Sequence, residues 1–152
     1  MIMKKAVFAV LLLTAINVAY AQDSMEKVME SRAREMFRVI GLDSPDQWKK
    51  FIKENYTKAL IDKPMTAKVQ GGDGGSATES KSNTTEGNIE GKAQMYKMFH
   101  NDFGSGKITS LKVIGEKADM LVESGDMKGT IILKFSKEKP YLIDGLGIQV
   151  GN

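Results

Sequence analysis

Histidine is the side chain whose ordinary pKa lies nearest neutrality, and this chain holds a single one, His100, with Asp102 two positions on. A general base must be desolvated and aimed at a pocket. His100, Asp102 and the later Asp144 are the residues that could serve, with His100 and Asp144 the leading pair. Beside this stands a plainer reading of His100, as a residue near a helix C-terminus favoured there by the helix dipole. Zinc takes three or four His, Cys or carboxylate ligands, and Asp102 does not share a helix face with His100. Asp73, alone among four glycines, cannot supply the six to eight oxygens that calcium needs. No metal and no cofactor is therefore expected.

Two other patterns resemble catalytic spacings. Ser24-Met25-Glu26-Lys27 and Ser136-Lys137-Glu138-Lys139 both read S-x-x-K, in which lysine activates serine from the next helical turn. Neither has the S-D-N or K-T-G partners of that set, and the second falls between two strands, so both are chance matches. Lys92 and Lys107 each follow a glycine but lack the rest of a phosphate-binding loop. The absence of cysteine excludes disulfides, thiol catalysis and thiolate metal sites.

The elements that must position these groups follow from hydrophobic spacing. Met25, Val28, Met29, Ala33, Met36, Phe37 and Ile40 recur at threes and fours, with Glu30 and Arg34 paired outward, which predicts a first helix stopped by Gly41. Ser44, Pro45 and Gln47 form a capping box. It opens a second helix whose inner face is Trp48, Phe51, Ile52, Tyr56, Ala59 and Leu60, closed by Pro64. A third helix runs from about Ile89 to Phe103, with Ala93, Met95, Tyr96, Phe99 and Phe103 inward. Between the last two lies Gly71 to Asn88, rich in Gly, Ser and Thr and free of aromatic or branched aliphatic residues. It cannot build a core and reads as a flexible loop.

After Gly106 the period becomes two. Runs at Lys107 to Ile114, Lys117 to Ser124, Met127 to Phe135 and Tyr141 to Val150 are joined by connections so short that they must be hairpins. Leu111 and Val113, then Ala118, Met120 and Val122, then Ile131, Leu133 and Phe135 mark one dry face. In the fourth run the apolar parity slips at Asp144-Gly145, which predicts a bulge there, with glycine supplying the conformation. The expected class is α+β, three N-terminal helices packed on a curved four-stranded antiparallel meander.

Residues 1 to 21 read as an export signal: Lys4 and Lys5, an apolar stretch, then Ala19-Tyr20-Ala21 before Gln22. That apolar stretch is short for a bilayer span of roughly 20 residues. Removing it leaves one domain, residues 22 to 152, and takes two lysines and no acid, so the net charge falls from +3 to +1. A near-neutral chain has no basic excess to spread along nucleic acid. No nucleic-acid partner is expected, nor a membrane once the signal is gone.

The order of elements, together with the stretches WKKFIKENY (Trp48 to Tyr56), MFHNDFG (Met98 to Gly104) and PYLIDGLGI (Pro140 to Ile148), resembles the cystatin-like cone of the nuclear-transport-factor-like superfamily. More narrowly, it resembles the small accessory domain found beside bacterial serine beta-lactamase-like hydrolases. The resemblance spans about Asp43 to Val150, and Gly71 to Asn88 is extra to it. It implies a periplasmic or secreted, non-catalytic domain that binds a protein partner or a small apolar ligand through the sheet or its hollow, with a homodimer through the sheet as a further option. Trp48, Tyr56, Tyr96 and Phe99 would line such a hollow, or equally build plain core. The alternative that the superfamily implies is a small isomerase or dehydratase with His100 or Asp144 as base.

Overall fold

A computed structural model of the chain describes residues 25–64 and 84–151. The segment read as an export signal and most of the Gly/Ser/Thr-rich stretch lie outside them. Residues 25–40 form α1, which buries Met29, Ala33, Met36, Val39 and Ile40 on one stripe and leaves Val28 on its flank, 40% exposed. Glu30 and Arg34 pair at 2.7 Å on the solvent side. The helix stops at Gly41, whose N–H donates to Phe37 O.

Ser44 and Pro45 open α2 (Pro45–Asn55), but the Ser44 hydroxyl makes no capping bond. The expected capping box does not form, and only the Ser44 carbonyl is used, accepting from Trp48 N–H at 3.1 Å. The helix was expected to continue to Pro64. Instead Tyr56 and Thr57 are extended, and a separate α3 (Lys58–Asp62) follows. Two competing sets of bonds explain the break. Thr57 Oγ1 accepts from Leu60 N–H as the N-cap of α3, and Tyr56 forms a parallel bridge with Ile143 of the sheet. These hold two residues out of helical conformation for a strand contact that no local pattern announces.

The long helix α4 (Thr85–Phe103) starts four residues before the expected Ile89, with Thr84 Oγ1 accepting from Gly87 N–H. Thr85 to Asn88 therefore belong to a helix and not to a flexible loop, and Asn88 is buried.

The sheet is a meander, β1 (Lys107–Ile114), β2 (Lys117–Ser124), β3 (Met127–Phe135) and β4 (Ile143–Gly151), in the order β1-β2-β3-β4 with every pair antiparallel. Both tight hairpins place a glycine first, Gly115 and Gly125, each at φ 58. That is the position at which a two-residue turn matching strand twist needs a left-handed residue. The inner face carries Ala118, Met120, Val122, Ile131, Leu133 and Phe135, all buried in one cluster with the helix side chains. Gly129 shares that face, where a Cβ would stand 2.9 Å from Phe103 Cζ. Its missing side chain is what lets the end of α4 lie against β3.

The expected bulge is present. Lys134 pairs with Gly145 and Phe135 with Ile143, so Asp144 is the extra residue and Ile143, Leu146 and Ile148 all reach the inner side. Two details differ from expectation. The strand begins at Ile143 because Tyr141 takes a left-handed φ of 55, incompatible with an extended strand. Gly145 is not left-handed, and a Cβ there would meet only Lys134, at 3.3 Å from its Cβ.

Backbone strain on substitution is therefore expected in the hairpins and not at the bulge. Gly125→Ala should cost about 1 kcal/mol in urea unfolding, the usual penalty for a non-glycine residue in left-handed conformation. Gly145→Ala should stay within about 0.5 kcal/mol of the parent.

Candidate functional site

Three of the four aromatic residues expected to line a hollow are fully enclosed by their neighbours. Trp48, Tyr56 and Tyr96 are 1%, 3% and 0% exposed, and Phe99 packs half-buried at the edge of the same core. Their polar atoms are occupied. Trp48 Nε1 donates to Val39 O at 2.9 Å, and the Tyr56 and Tyr96 hydroxyls share a hydrogen bond of 2.9 Å. Phe51 lies against both tyrosines, with ring centroids 6.5 and 6.3 Å away. Burial raises the pKa of both phenols well above the tyrosine norm, so the pair stays neutral and acts as a polar clasp inside an apolar core.

His100 is placed in the last turn of α4, half-buried, with Nδ1 2.9 Å from Ile40 O and its ring 6.0 Å from Trp48. The nitrogen that points inward meets a backbone carbonyl at the end of α1, which requires the tautomer with hydrogen on Nδ1. Asp144 is exposed at the bulge and accepts from Thr57 Oγ1 at 2.7 Å. The two share no partner: His100 ties α4 to α1, and Asp144 ties β4 to α3. Asp102, the third candidate, is exposed on α4. Ser136 of the second S-x-x-K pattern is engaged within its own loop, accepting from Leu142 N–H at 2.9 Å and donating to Glu138 O at 3.0 Å. No group of three or more His, Asp or Glu positioned to hold a metal ion occurs among the described residues.

Two cationic residues that spacing alone did not single out are drawn inward, Lys92 fully and Arg32 in part. Lys92 is 0% exposed and its ammonium donates to Ile61 O and Lys63 O at 3.1 and 2.7 Å. Asn88 Nδ2 donates to Asp62 O at 2.9 Å beside it. Together they receive the orphan carbonyls at the end of α3. Desolvation pulls the Lys92 pKa down, with the Asp62 charge acting the other way. Its position was legible in principle, since Asn88, Ile89, Lys92, Ala93 and Tyr96 form the buried stripe of α4. Arg32 borders the buried stripe of α1. It donates from Nη1 to Asn55 Oδ1 at 3.0 Å and from Nη2 to Pro140 O at 3.1 Å.

Surface concavities fall elsewhere than on the aromatic core. One of about 350 Å³ is lined by α1 residues and Asn55, and one of about 390 Å³ by Lys117, Lys134, Lys137, Asp144 and their neighbours at one end of the sheet. A third, of about 460 Å³, is walled by charged side chains of α2 and Glu86. Asp144 thus lies in a cleft of lysines, while His100 lines none of these three.

Chemistry at these positions predicts a distinct set of mutational responses. Tyr56→Phe should cost about 1–3 kcal/mol by leaving the Tyr96 hydroxyl buried without a partner, and adding Tyr96→Phe should cost less than the sum of the two. Because the folded pKa values lie above the unfolded one, the pair stabilises fully below about pH 10. Stability then falls as pH rises further, and the double Phe variant should lose less of it in alkaline melts. Thr57→Val should cost about 1–2 kcal/mol through the lost cap. Asp144→Asn should leave the melting temperature nearly unchanged, since Asn still accepts from Thr57. No protein-family model matches the chain, and neither a curated protein nor a solved structure matches it.

Proposed function

We propose that this chain is an exported, non-catalytic accessory domain of the cystatin-like cone type, which docks a protein partner presenting an acidic surface on the outer face of its sheet. The observation that carries this reading is the composition of that face. Cross-strand register puts Lys107, Lys112, Lys117, Lys128 and Lys134 outward, against Asp119 and Glu123, with the bulge residue Asp144 beside Lys117 and Lys134 at one end. Lys117 pairs with Asp119 and Lys128 with Glu123, at 3.1 and 3.3 Å, which leaves Lys107, Lys112 and Lys134 without an ion pair among the described residues. Between them lie Leu121, 43% exposed, half-buried Ile132, and Ile114 at the rim, 75% exposed.

A domain with a net charge of only +1 without its leader therefore concentrates an excess of two positive charges on one side of one sheet, Asp144 included. Charge of one sign around a small apolar centre favours an oppositely charged partner and opposes a second copy of the same face. No aromatic residue occupies these outward positions, so the stacking platform of single-stranded nucleic-acid binders is missing from them. The interior supports a binding role over a ligand hollow, since Trp48, Tyr56 and Tyr96 fill the space between helices and sheet.

The test is site-specific photo-crosslinking in the native host from position 121, with position 101 on the exposed side of α4 as control. A single protein adduct is expected from position 121. It should be lost in a Lys112→Glu/Lys134→Glu variant that melts within a few degrees of the parent. An adduct only with another copy of the chain, or equal labelling from position 101, would overturn the reading.

A further inference from the structure

We infer that the cleft between α1 and the end of α2 is a binding site for a monocarboxylate, with Arg32 as the residue that receives it. This site is separate from the outer sheet face and does not depend on the role given to it. The cleft, of about 350 Å³, is lined by Lys27, Val28, Ser31, Arg32, Glu35 and Asn55.

Arginine normally meets an acid when partly buried, because an enclosed charge without a counter-charge is costly. Arg32 meets none among the described residues. Its two hydrogen bonds go to neutral oxygens, the Asn55 side chain and the Pro140 carbonyl. Its Nε–H is enclosed with no acceptor. Glu35 shares the cleft, but its carboxylate is turned to Arg38 through two N–H···O bonds of 2.7 Å each and makes none to Arg32. Desolvation accordingly lowers the Arg32 pKa, with no acid opposing it.

The guanidinium is also oriented in advance. Asn55 Nδ2 donates to Phe51 O at 3.0 Å, which turns Asn55 Oδ1 toward Arg32. That bond and the one to Pro140 fix the plane of the fork from two sides, so little side-chain entropy remains to be lost when an anion arrives. One proton on each of Nη1 and Nη2 is still unused, and two such protons match the oxygens of one carboxylate. The wall provides one acid, Glu35, and an exposed apolar surface, Val28. A phosphate dianion would bring two negative charges beside that acid, with Arg32 and Lys27 the cations of the wall, whereas a monoanion with a short alkyl tail satisfies both the fork and the Val28 surface.

The experiment titrates the full chain without its leader with butyrate, acetate, inorganic phosphate and chloride at constant ionic strength, following the Arg32 Nε–H resonance by nitrogen-detected NMR. Butyrate should produce a saturable shift in the millimolar range, acetate a weaker one, and phosphate and chloride none that saturates. Arg32→Gln should abolish the response. Should that variant fail to fold, Asn55→Asp places a carboxylate against the guanidinium from within the chain and should weaken butyrate binding on the order of tenfold or more. Equal shifts from all four anions, or undiminished butyrate binding in Asn55→Asp, would overturn the assignment.

Discussion

The end of α1 sets the arrangement of the other helices. Its last carbonyls, on Val39 and Ile40, belong to buried residues, and the backbone supplies only one bond to the pair, from Leu42 N–H to Val39 O at 3.1 Å. An apolar neighbourhood makes such groups expensive to leave unpaired. They are met by the indole of Trp48 from α2 and the imidazole of His100 from α4, both at 2.9 Å. One helix end thus recruits a side chain from each of two other helices, and the rings that deliver those bonds also fill the core around it. The packing of three helices and the satisfaction of two backbone oxygens are the same event.

A similar economy runs through the rest of the interior. The groups that carry chemical potential in this sequence, a histidine, two phenols, a buried ammonium and an active-looking serine, are engaged by oxygens of the fold itself. Lys92 serves the end of α3, Ser136 the loop after β3, and Tyr56 and Tyr96 each other. A base or nucleophile must keep a lone pair or a proton free for substrate. Here most of those atoms hold secondary structure in place, and of the imidazole only Nδ1 is so engaged.

The sheet was the most legible part of the chain because its signal is local and repeats. Alternation identified every inner-face residue of β2 and β3 but Gly129, two-residue glycine turns fixed the hairpins, and the parity slip located the extra residue at Asp144. The helix boundaries were less legible because distant partners decide them. Nothing near Tyr56 signals that helix will yield there to a bridge with Ile143, almost ninety positions later in the chain. Polar composition disguised the start of α4, where Thr84 caps a turn that looked like linker. Arg32 and Lys92 were hidden for another reason. A long charged side chain can lie on a buried stripe if its head finds oxygens, and those oxygens belong to Pro140, Ile61 and Lys63, which only the folded chain brings near.

The interruption between α2 and α3 also bears on the border of the sheet. A meander has two unpaired borders, and β4 is one of them. Such a border is a template on which a foreign strand can add, the first step toward fibrils. Tyr56 and Thr57 occupy its opening rung, with Thr57 N–H donating to Ile143 O at 2.8 Å. The two residues that a continuous helix would have absorbed stand instead as a short guard rail along the sheet's open margin. Where the helix is made to stop thus decides whether the first rung of that border is open or taken.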